Sequence, residues 1–361
     1  MNHEIIYLIA LRMCPLIGDA AIKKLISYFG SAQKTWFAST DELLSIYHIG
    51  QKTIQHIGNN SILDAAHKNV EYCLKNNICI THLWDETYPI LLKECSDAPV
   101  LLYYKGNINW NLPAISIVGT RKMTSYGENF TKRLVESFQN KKINIISGLA
   151  LGIDGCAHKI AYELKLPTLG VLAHGLSIIY PPQHKELARK ITENGGILTE
   201  FLPNTKPERA NFIQRNRIIA GLSSATVIIE SGYGGGAIST VKFANSYNRE
   251  IFALPGKITD INSQGCNQLI RNLEAQIITR PEDVLSLYGE DNLQNLQQEL
   301  CFDFTDQELR VISYLKDKGK TQIDTLSLEL NLPTFQLMPI LLNLELKNII
   351  ETFPGKYFNL I

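Results

Sequence analysis

Four short segments of the chain combine glycine, hydroxyl and arginine groups as an anion-binding surface requires. They are Val118-Gly-Thr-Arg121, Ser147-Gly-Leu-Ala-Leu-Gly-Ile-Asp154, Phe212-Ile-Gln-Arg-Asn-Arg217 and Gly234-Gly-Gly-Ala-Ile-Ser-Thr240. The first, second and fourth follow apolar, strand-like runs, where small residues let backbone amides approach an anion. The third places cations beside an aromatic ring. Together these segments predict a surface that binds phosphates and bases.

The third segment has the pattern that single-stranded nucleic acid needs. Phe212 and Arg215 are three residues apart, so on a helix they share a face, whereas Arg217 projects elsewhere. Arg209 adds positive charge at the preceding turn. Bases can stack on such a ring while phosphates meet the arginines. In the alternative interpretation, Phe212 is a core residue and Asn216 caps a local turn.

The other segments offer further phosphate ligands. Arg121 follows a strand-end turn, where a guanidinium can hold a phosphate in a bidentate contact; the alternative is a surface ion pair. Ser147 and Gly148 form an amide-rich turn with a hydroxyl donor. Ser239 and Thr240 open the next helix, where they either donate hydroxyls to the same phosphate or are ordinary helix residues.

Nothing in the sequence indicates a cofactor, a metal or a catalytic centre. The chain has neither Gly-x-Gly-x-x-Gly nor Gly-x-x-x-x-Gly-Lys-Ser/Thr, so bound NAD or ATP is disfavoured. The seven cysteines form no Cys-x-x-Cys pair, and we expect reduced, structural thiols. Asp154 is expected to cap the helix that follows it, and His158 to be a packed core histidine.

The composition describes a globular protein of two or three domains. The chain has 361 residues, of which 45% are hydrophobic and 19% charged. Its formal net charge is zero, so nucleic-acid binding must depend on a local patch. No apolar run is long enough to span a bilayer, and Met-Asn-His-Glu at the start lacks the basic region of a signal peptide. We therefore expect a cytoplasmic protein without membrane contact.

Residues 1–78 show helical spacing of apolar residues and predict a helical domain. Pro15-Leu-Ile-Gly18 and Tyr47-His-Ile-Gly50 each precede a helical stretch, and together they resemble paired helix-hairpin-helix (SAM-like) units. Such hairpins present amides to DNA phosphates, but the usual first glycine is Leu16 in one copy and His48 in the other. DNA contact and a purely structural bundle both remain open.

Residues 79–288 predict an α/β domain. Residues 79–110 read as a connecting region, after which apolar strands alternate with helices. This pattern is typical of a Rossmann-like, doubly wound, mostly parallel sheet with helices on both faces. Strands are predicted over 114–118, 143–146, 168–172, 196–199, 225–230, 250–254 and 276–278.

The remaining residues predict a linker and a winged helix. Residues 289–300 are rich in Asn, Gln and Glu, which suits a linker. Residues 301–361 predict three helices, over 306–316, 322–329 and 334–347, and a hairpin around Pro354-Gly355. Only Lys347 is basic in the third helix, so a protein-contact or structural role competes with groove reading.

At these motifs the chain closely resembles the DprA (Smf) DNA-processing family. The resemblance covers about residues 83–287 and is carried by an ordered string of motifs: Val118-Gly-Thr-Arg121, Ser147-Gly-Leu-Ala150, Gly152-Ile-Asp154, Ala157-His158, Tyr180-Pro181, Phe212 with Arg215-Asn-Arg217, Pro255-Gly256, and Gly265 with Asn267-Gln-Leu-Ile270. It implies a protein that binds single-stranded DNA without a cofactor, dimerises through the Rossmann-like domain and helps load the RecA recombinase during natural transformation.

The resemblance also implies a DNA site. Carried over by position, it comprises Arg121, Ser147, Gly148, Arg209, Phe212, Arg215, Asn216, Arg217, Gly235, Gly236, Ser239 and Thr240. Two departures stand out. The family's Ser-Gly-Ser appears as Gly235-Gly236-Ala237, which keeps the amides but loses both hydroxyls, and its Gly-Ala after Arg271 appears as Glu274-Ala275.

A second class of function is a LOG-like N-glycosidase acting on nucleotides. That group uses Pro-Gly-Gly-x-Gly-Thr-x-x-Glu, and here Phe243 stands three residues past Thr240, where the glutamate belongs. Without this carboxylate the acid-base step lacks its agent, so we expect no enzymatic activity. A third hypothesis is an adaptor whose flanking domains recruit protein partners.

Overall fold

The computed structural model describes residues 3–46, 49–139, 141–288, 305–346 and 349–360. The chain divides into two compact units, residues 1–288 and 289–361. The linker prediction over 289–300 lies outside the described residues. Within the described ranges, no helix is both long and apolar enough to cross a membrane.

A nine-stranded sheet forms the centre of the first unit. Its strands are β1 (Cys79–His82), β2 (Leu101–Gly106), β3 (Ala114–Gly119), β4 (Asn144–Ser147), β5 (Thr168–Val171), β6 (Gly195–Thr199), β7 (Ala225–Ile229), β8 (Glu250–Ala253) and β9 (Gln276–Ile277). The strand order is β1-β2-β6-β5-β4-β3-β7-β8-β9. The seven strands β3 to β9 all pair in parallel with their neighbours among these seven. All seven predicted strands are present, and the Rossmann-like fold class is confirmed.

Two further strands extend the sheet at one edge. β1 pairs with β2 and β2 pairs with β6, both antiparallel. A connection is predicted for this part of the chain, because no long crossover helix separates the two short strands as it would in a parallel unit. The connecting region is therefore part of the sheet.

Helices cover both faces of the parallel strands, as continuous apolar strands require. They are α7 (Ile90–Lys93), α8 (Ser125–Ser137), α9 (Ile153–Glu163), α10 (Lys185–Ile191), α11 (Arg209–Gly221), α12 (Gly236–Ser246), α13 (Gln264–Arg271) and α14 (Glu282–Leu285). Two buried clusters result. One contains Ile218 and Val241 on α11 and α12, and the other contains Leu134 and Ala157 on α8 and α9.

In the described part of the chain before the sheet there are six helices: α1 (His3–Met13), α2 (Asp19–Phe29), α3 (Ala32–Phe37), α4 (Thr40–Leu44), α5 (Gln51–Ile54) and α6 (Asn60–Lys75). Leu8 and Trp36 belong to the same buried cluster as Tyr103 and Leu172 of the sheet region. The helical segment therefore packs into one compact unit with the sheet. Gly18 and Gly50 stand at the N-caps of α2 and α5, after the two predicted hairpin turns.

The second unit has the three helices and the hairpin of a winged helix, as predicted. Its elements are α15 (Asp306–Lys318), β10 (Thr321–Gln322), α16 (Ile323–Leu330), α17 (Thr334–Leu346), β11 (Ile350–Phe353) and β12 (Tyr357–Leu360). The strands form an antiparallel sheet in the order β10-β12-β11. Its own apolar core includes Val311, Leu326, Leu341 and Phe358.

Candidate nucleic-acid interface

The candidate site lies where the strand order of the parallel sheet changes direction. The chain runs outward from β3 through β4, β5 and β6 on one side, and β7 packs on the other side of β3. In open parallel sheets, ligands bind at the carboxyl ends of strands at such a switch point. A cleft of about 260 Å³ opens there. Its lining includes Gly119, Thr120, Arg121, Ala150, Asp154, Phe212, Ile213, Arg215, Asn216, Ser231, Gly232, Gly235, Gly236, Ser239 and Thr240; we call it the switch-point cleft.

The turn after β3 is fixed by backbone contacts from two sides. The Thr120 amide donates to the Glu230 carbonyl at 2.7 Å, and the Thr120 carbonyl accepts the Ile153 amide at 3.2 Å. Gly152 has φ +77°, and a Cβ there would lie 2.2 Å from the Thr120 carbonyl oxygen, so only glycine fits. This packing presents the exposed Arg121 at the rim of the cleft.

Phe212 is the aromatic centre of the cleft. Its ring centre lies 5.4 Å from the Arg121 guanidinium carbon and 6.0 Å from that of Arg215, both within cation-π range. Tyr180 packs against the ring edge-on, with centroids 5.8 Å apart. Phe212 is half-buried and lines the cleft, whereas the alternative interpretation made it a core residue.

Arg215 lies behind Phe212 and is 4% exposed. Its Nη1 donates to the Gly148 carbonyl at 2.7 Å and to the Val171 carbonyl. Burial lowers the pKa of Arg215 to about 10, so its charge persists at neutral pH. A Cβ on Gly148 would lie 2.5 Å from the Arg215 Nη2 atom. Gly148 therefore makes room for this guanidinium.

The prediction that Asp154 caps the helix after it is wrong. Gly152 occupies the N-cap position of α9, and Asp154 lies inside the first turn. Its Oδ2 accepts the Gly148 amide at 3.0 Å, which joins the turn after β4 to α9. Burial raises the pKa of Asp154, while Arg215 and this hydrogen bond act in the opposite direction. The Gly148 amide is consequently engaged within the protein.

Two of the expected DNA ligands point into the protein instead of the cleft. Ser147 is fully buried, and its hydroxyl donates to the Ile117 carbonyl at 2.6 Å. Arg217 is buried, with Nη2 lying 2.5 Å from Glu200 Oε2 and 3.5 Å from Asp19 Oδ2. Neither residue lines the cleft, because each polar group already has partners inside the fold.

Arg209 is the first residue of α11 and is exposed. It lies one helical turn before Phe212, on the same helix, but outside the lining of the cleft. Among the expected cations, the structure therefore places Arg121 and Arg215 at the cleft and Arg209 at the nearby surface.

The loop after β7 and the first turn of α12 contribute backbone groups and one hydroxyl. Ser239 Oγ donates to the Gly236 carbonyl at 2.7 Å and lies 2.8 Å from Asn216 Nδ2. Thr240 is buried beneath them. A Cβ on Gly235 would lie 2.4 Å from Ser231 Oγ, whereas Gly236 faces open space and is exposed. Asn216 thus positions this loop from α11.

His158 is the packed core histidine that the sequence predicted. It is fully buried, and its Nδ1 lies 2.7 Å from Thr168 Oγ1. Burial lowers its pKa to about 3, so the ring is neutral at physiological pH.

Two residues near the cleft gained no individual role from the sequence. Tyr180 is 42% exposed beside Phe212, and the aromatic residue before Pro181 was the available signal. Glu230 is buried at the end of β7, and its carboxylate accepts the Thr124 amide at 2.9 Å. Glu230 thereby fixes the start of α8, but an isolated Glu after a strand gives no sequence signal for this.

The arrangement suits an anion with attached aromatic groups. One exposed and one buried guanidinium lie close to a half-buried ring, and glycines follow β7. The described residues contain no group of three His, Cys, Asp or Glu side chains that could hold a metal ion. None of the six cysteines within the described ranges forms a disulfide bond.

Comparison with known proteins places the chain in a family. Residues 79–289 match the family model described as DNA recombination-mediator protein A. Protein Smf of Synechocystis is 35% identical over 304 residues, covering 82% of this chain and 76% of the relative. The DNA processing protein DprA of Streptococcus pneumoniae is 36% identical over 225 residues, covering 62% of this chain and 78% of the relative.

Solved structures agree with the sequence matches. The crystal structure of DprA from Streptococcus pneumoniae matches with a TM-score of 0.62 at 29% identity, covering 78% of this chain and 97% of that one. A structure describing the single-stranded DNA binding mode of DprA from Helicobacter pylori matches with a TM-score of 0.54 at 27% identity, covering 59% and 96%. The chain therefore belongs to the DprA/Smf family of DNA-processing, recombination-mediator proteins.

Proposed function

We propose that this protein binds single-stranded DNA in the switch-point cleft. The observation that carries the proposal is that the Arg121 and Arg215 guanidinium groups both lie within 5.4–6.0 Å of the centre of the Phe212 ring. An aromatic face offers stacking to any base, and adjacent cations offer contacts to the backbone, so binding needs no particular sequence. The Helicobacter pylori relative, whose structure describes single-stranded DNA binding, supports this assignment.

In this proposal the exposed residues contact the DNA, and the buried residues support them from inside the fold. Arg121 is exposed and able to meet a phosphate directly, and the exposed Gly236 leaves backbone approach open in the loop after β7. Arg215 is held by two carbonyls, so it supplies positive charge behind the ring without moving. Ser147, Gly148 and Arg217 then act through the fold, in place of the direct DNA contacts expected from the sequence.

Binding without bond cleavage fits the site better than N-glycosidase chemistry. Phe243, at the position of the missing glutamate, packs against the apolar cluster of α11 and α12 and stacks on Tyr247. Asp154, which lines the cleft, and Glu230, which follows β7, both accept hydrogen bonds from backbone amides. Incubation with nucleoside monophosphates should therefore release neither base nor ribose phosphate, and release of either would support the enzymatic alternative.

The finer functions follow from family membership as proposals. We infer that the protein loads RecA onto the bound strand during natural transformation, acts in the cytoplasm and forms a homodimer through the sheet unit. Edge strand β9 supports the dimer, since it has one described sheet neighbour and begins three residues after Leu273, which is 91% exposed. RecA ATPase on DNA coated with single-strand-binding protein tests loading, and sedimentation equilibrium tests the dimer.

The direct test of the central proposal is anisotropy of a labelled oligothymidine across a salt series. Binding that weakens steeply with salt and persists on mixed sequences is expected. Affinity that is independent of salt, or restricted to one sequence, would contradict it.

A further inference from the structure

The winged-helix unit carries a basic corner that the proposed function does not use. Lys318 ends α15, and Lys320 follows it after Gly319. Lys356 lies in the turn of the β11–β12 hairpin. All three side chains are exposed. We call these three lysines the wing corner.

Contacts around the hairpin bring the Lys320 side chain close to the turn that carries Lys356, and Lys318 precedes Lys320 by two residues. The Lys320 ammonium nitrogen lies 3.8 Å from the Phe353 ring centre and 5.7 Å from that of Tyr357. Phe353 and Tyr357 pair directly across the hairpin, on either side of the turn that carries Lys356. The Lys356 carbonyl also accepts the Ile323 amide at 3.0 Å. Lys320 is thus held against the base of the wing.

A purely local explanation accounts for only part of this cluster. Lysines in the last turn of a helix interact favourably with the negative partial charge at its C-terminus. This interaction explains Lys318, the last residue of α15. Lys320 and Lys356 lie outside α15, in the following turn and in the wing. In the sequence, one acidic residue, Asp317, stands next to Lys318. No salt bridge joins these three lysines to a described acidic side chain.

Helix α17 is the third helix of the winged helix, the one that usually reads a DNA groove, and it is apolar instead of basic. The described residues of α17 include no Lys or Arg, and it exposes Phe335, Met338 and Leu342. Ordinary groove readers present polar and basic side chains to base edges. Nucleic-acid contact by this unit therefore belongs to the wing corner.

We propose that the wing corner binds the phosphate backbone of double-stranded DNA. Backbone contacts require cations without base-reading groups, which is what the corner offers. Stacking of unpaired bases is disfavoured there, because the Lys320 nitrogen lies 3.8 Å from the Phe353 ring centre, closer than the 5.4 Å between Arg121 and the Phe212 ring centre. This contact is separate from the switch-point cleft and does not depend on it. It would let one chain hold a duplex and a single strand together.

The test compares the full-length protein with the variant Lys318→Gln/Lys320→Gln/Lys356→Gln. Anisotropy is measured with a labelled blunt duplex and with oligothymidine, each across a salt series. Each phosphate contact contributes about 0.9 to the slope of log affinity against log salt on duplex DNA, so losing three should flatten the slope by ~2–3. Oligothymidine affinity, which reports on the switch-point cleft, should stay within about twofold because no cleft residue changes.

A matched variant controls for loss of positive charge. Lys68→Gln/Lys75→Gln/Lys132→Gln removes three exposed lysines from the first unit and should leave the duplex slope unchanged. Thermal melting of both variants confirms that each remains folded. An unchanged duplex slope in the wing-corner variant, or an equal loss in the control variant, would overturn the proposal. Equal weakening on duplex and oligothymidine would also contradict it, because the two sites would not be separate.

Discussion

The Arg121 guanidinium carbon lies 5.4 Å from the centre of the Phe212 ring. The two residues come from different elements, the turn after β3 and helix α11, and they meet only because β3 adjoins the strand-order switch. The Phe212 ring therefore lies beside the Arg121 guanidinium before any ligand binds. A bound strand would meet an aromatic ring with a phosphate ligand already close to it.

Gly148 should be intolerant of a side chain although it lies outside the cleft lining. Gly148→Ala places a methyl group 2.5 Å from the pinned Arg215 guanidinium, so we expect a loss of about 1–3 kcal/mol in the free energy of unfolding. Urea denaturation measures it. Gly236→Ala is the matched control, since no atom lies within 4 Å of its Cβ position. Equal stability of the two variants would refute the packing argument.

Arg217 should act on stability through its buried carboxylate partner. Arg217→Met leaves Glu200 buried without its cationic partner and with only the Gln214 amide donating to it, and breaking a buried ion pair typically costs about 3–5 kcal/mol in the free energy of unfolding. Adding Glu200→Leu to this variant should recover a large part of that loss. Arg189→Ala removes an exposed pair with Glu186 and should cost at most about 1 kcal/mol. A mild effect of Arg217→Met would contradict a structural role.

His158 should make the folded state sensitive to acid. Its pKa falls from 6.5 to about 3 on folding, so between these values the unfolded chain binds a proton that the folded chain does not. Stability attributable to this group is therefore lost as the pH falls below about 6.5, by about 1.4 kcal/mol per pH unit. The difference in denaturation free energy between wild type and His158→Gln should show this slope. A pH-independent difference would contradict a neutral, buried imidazole.

The sequence predicted the parallel sheet because buried parallel strands read as continuous apolar runs separated by helices. It did not predict β1 and β2, whose antiparallel pairing at the edge depends on contact with β6, far along the chain. For the site, local spacing predicts Arg121 after a strand-end turn and Phe212 on a helix, whereas their contact depends on the sheet topology.

The orientation of the remaining cations was not predictable in this way. Arg215 is turned inward by carbonyls of Gly148 and Val171, which precede it by 67 and 44 residues. Arg217 is turned inward by Glu200 and Asp19. Such partners are set by the tertiary fold. A run of arginines beside an aromatic residue therefore looks like a uniform binding surface, although only part of it faces the cleft.

The central claim is tested most directly by oligothymidine anisotropy on Arg121→Ala and Phe212→Ala across a salt series. Loss of one phosphate contact should flatten the salt slope of Arg121→Ala by about 0.7, the value for single strands. Phe212→Ala should lose about 1–3 kcal/mol of binding free energy with little change in slope, since stacking involves no counterion release. Wild-type affinity in both variants would place the DNA elsewhere and contradict the account.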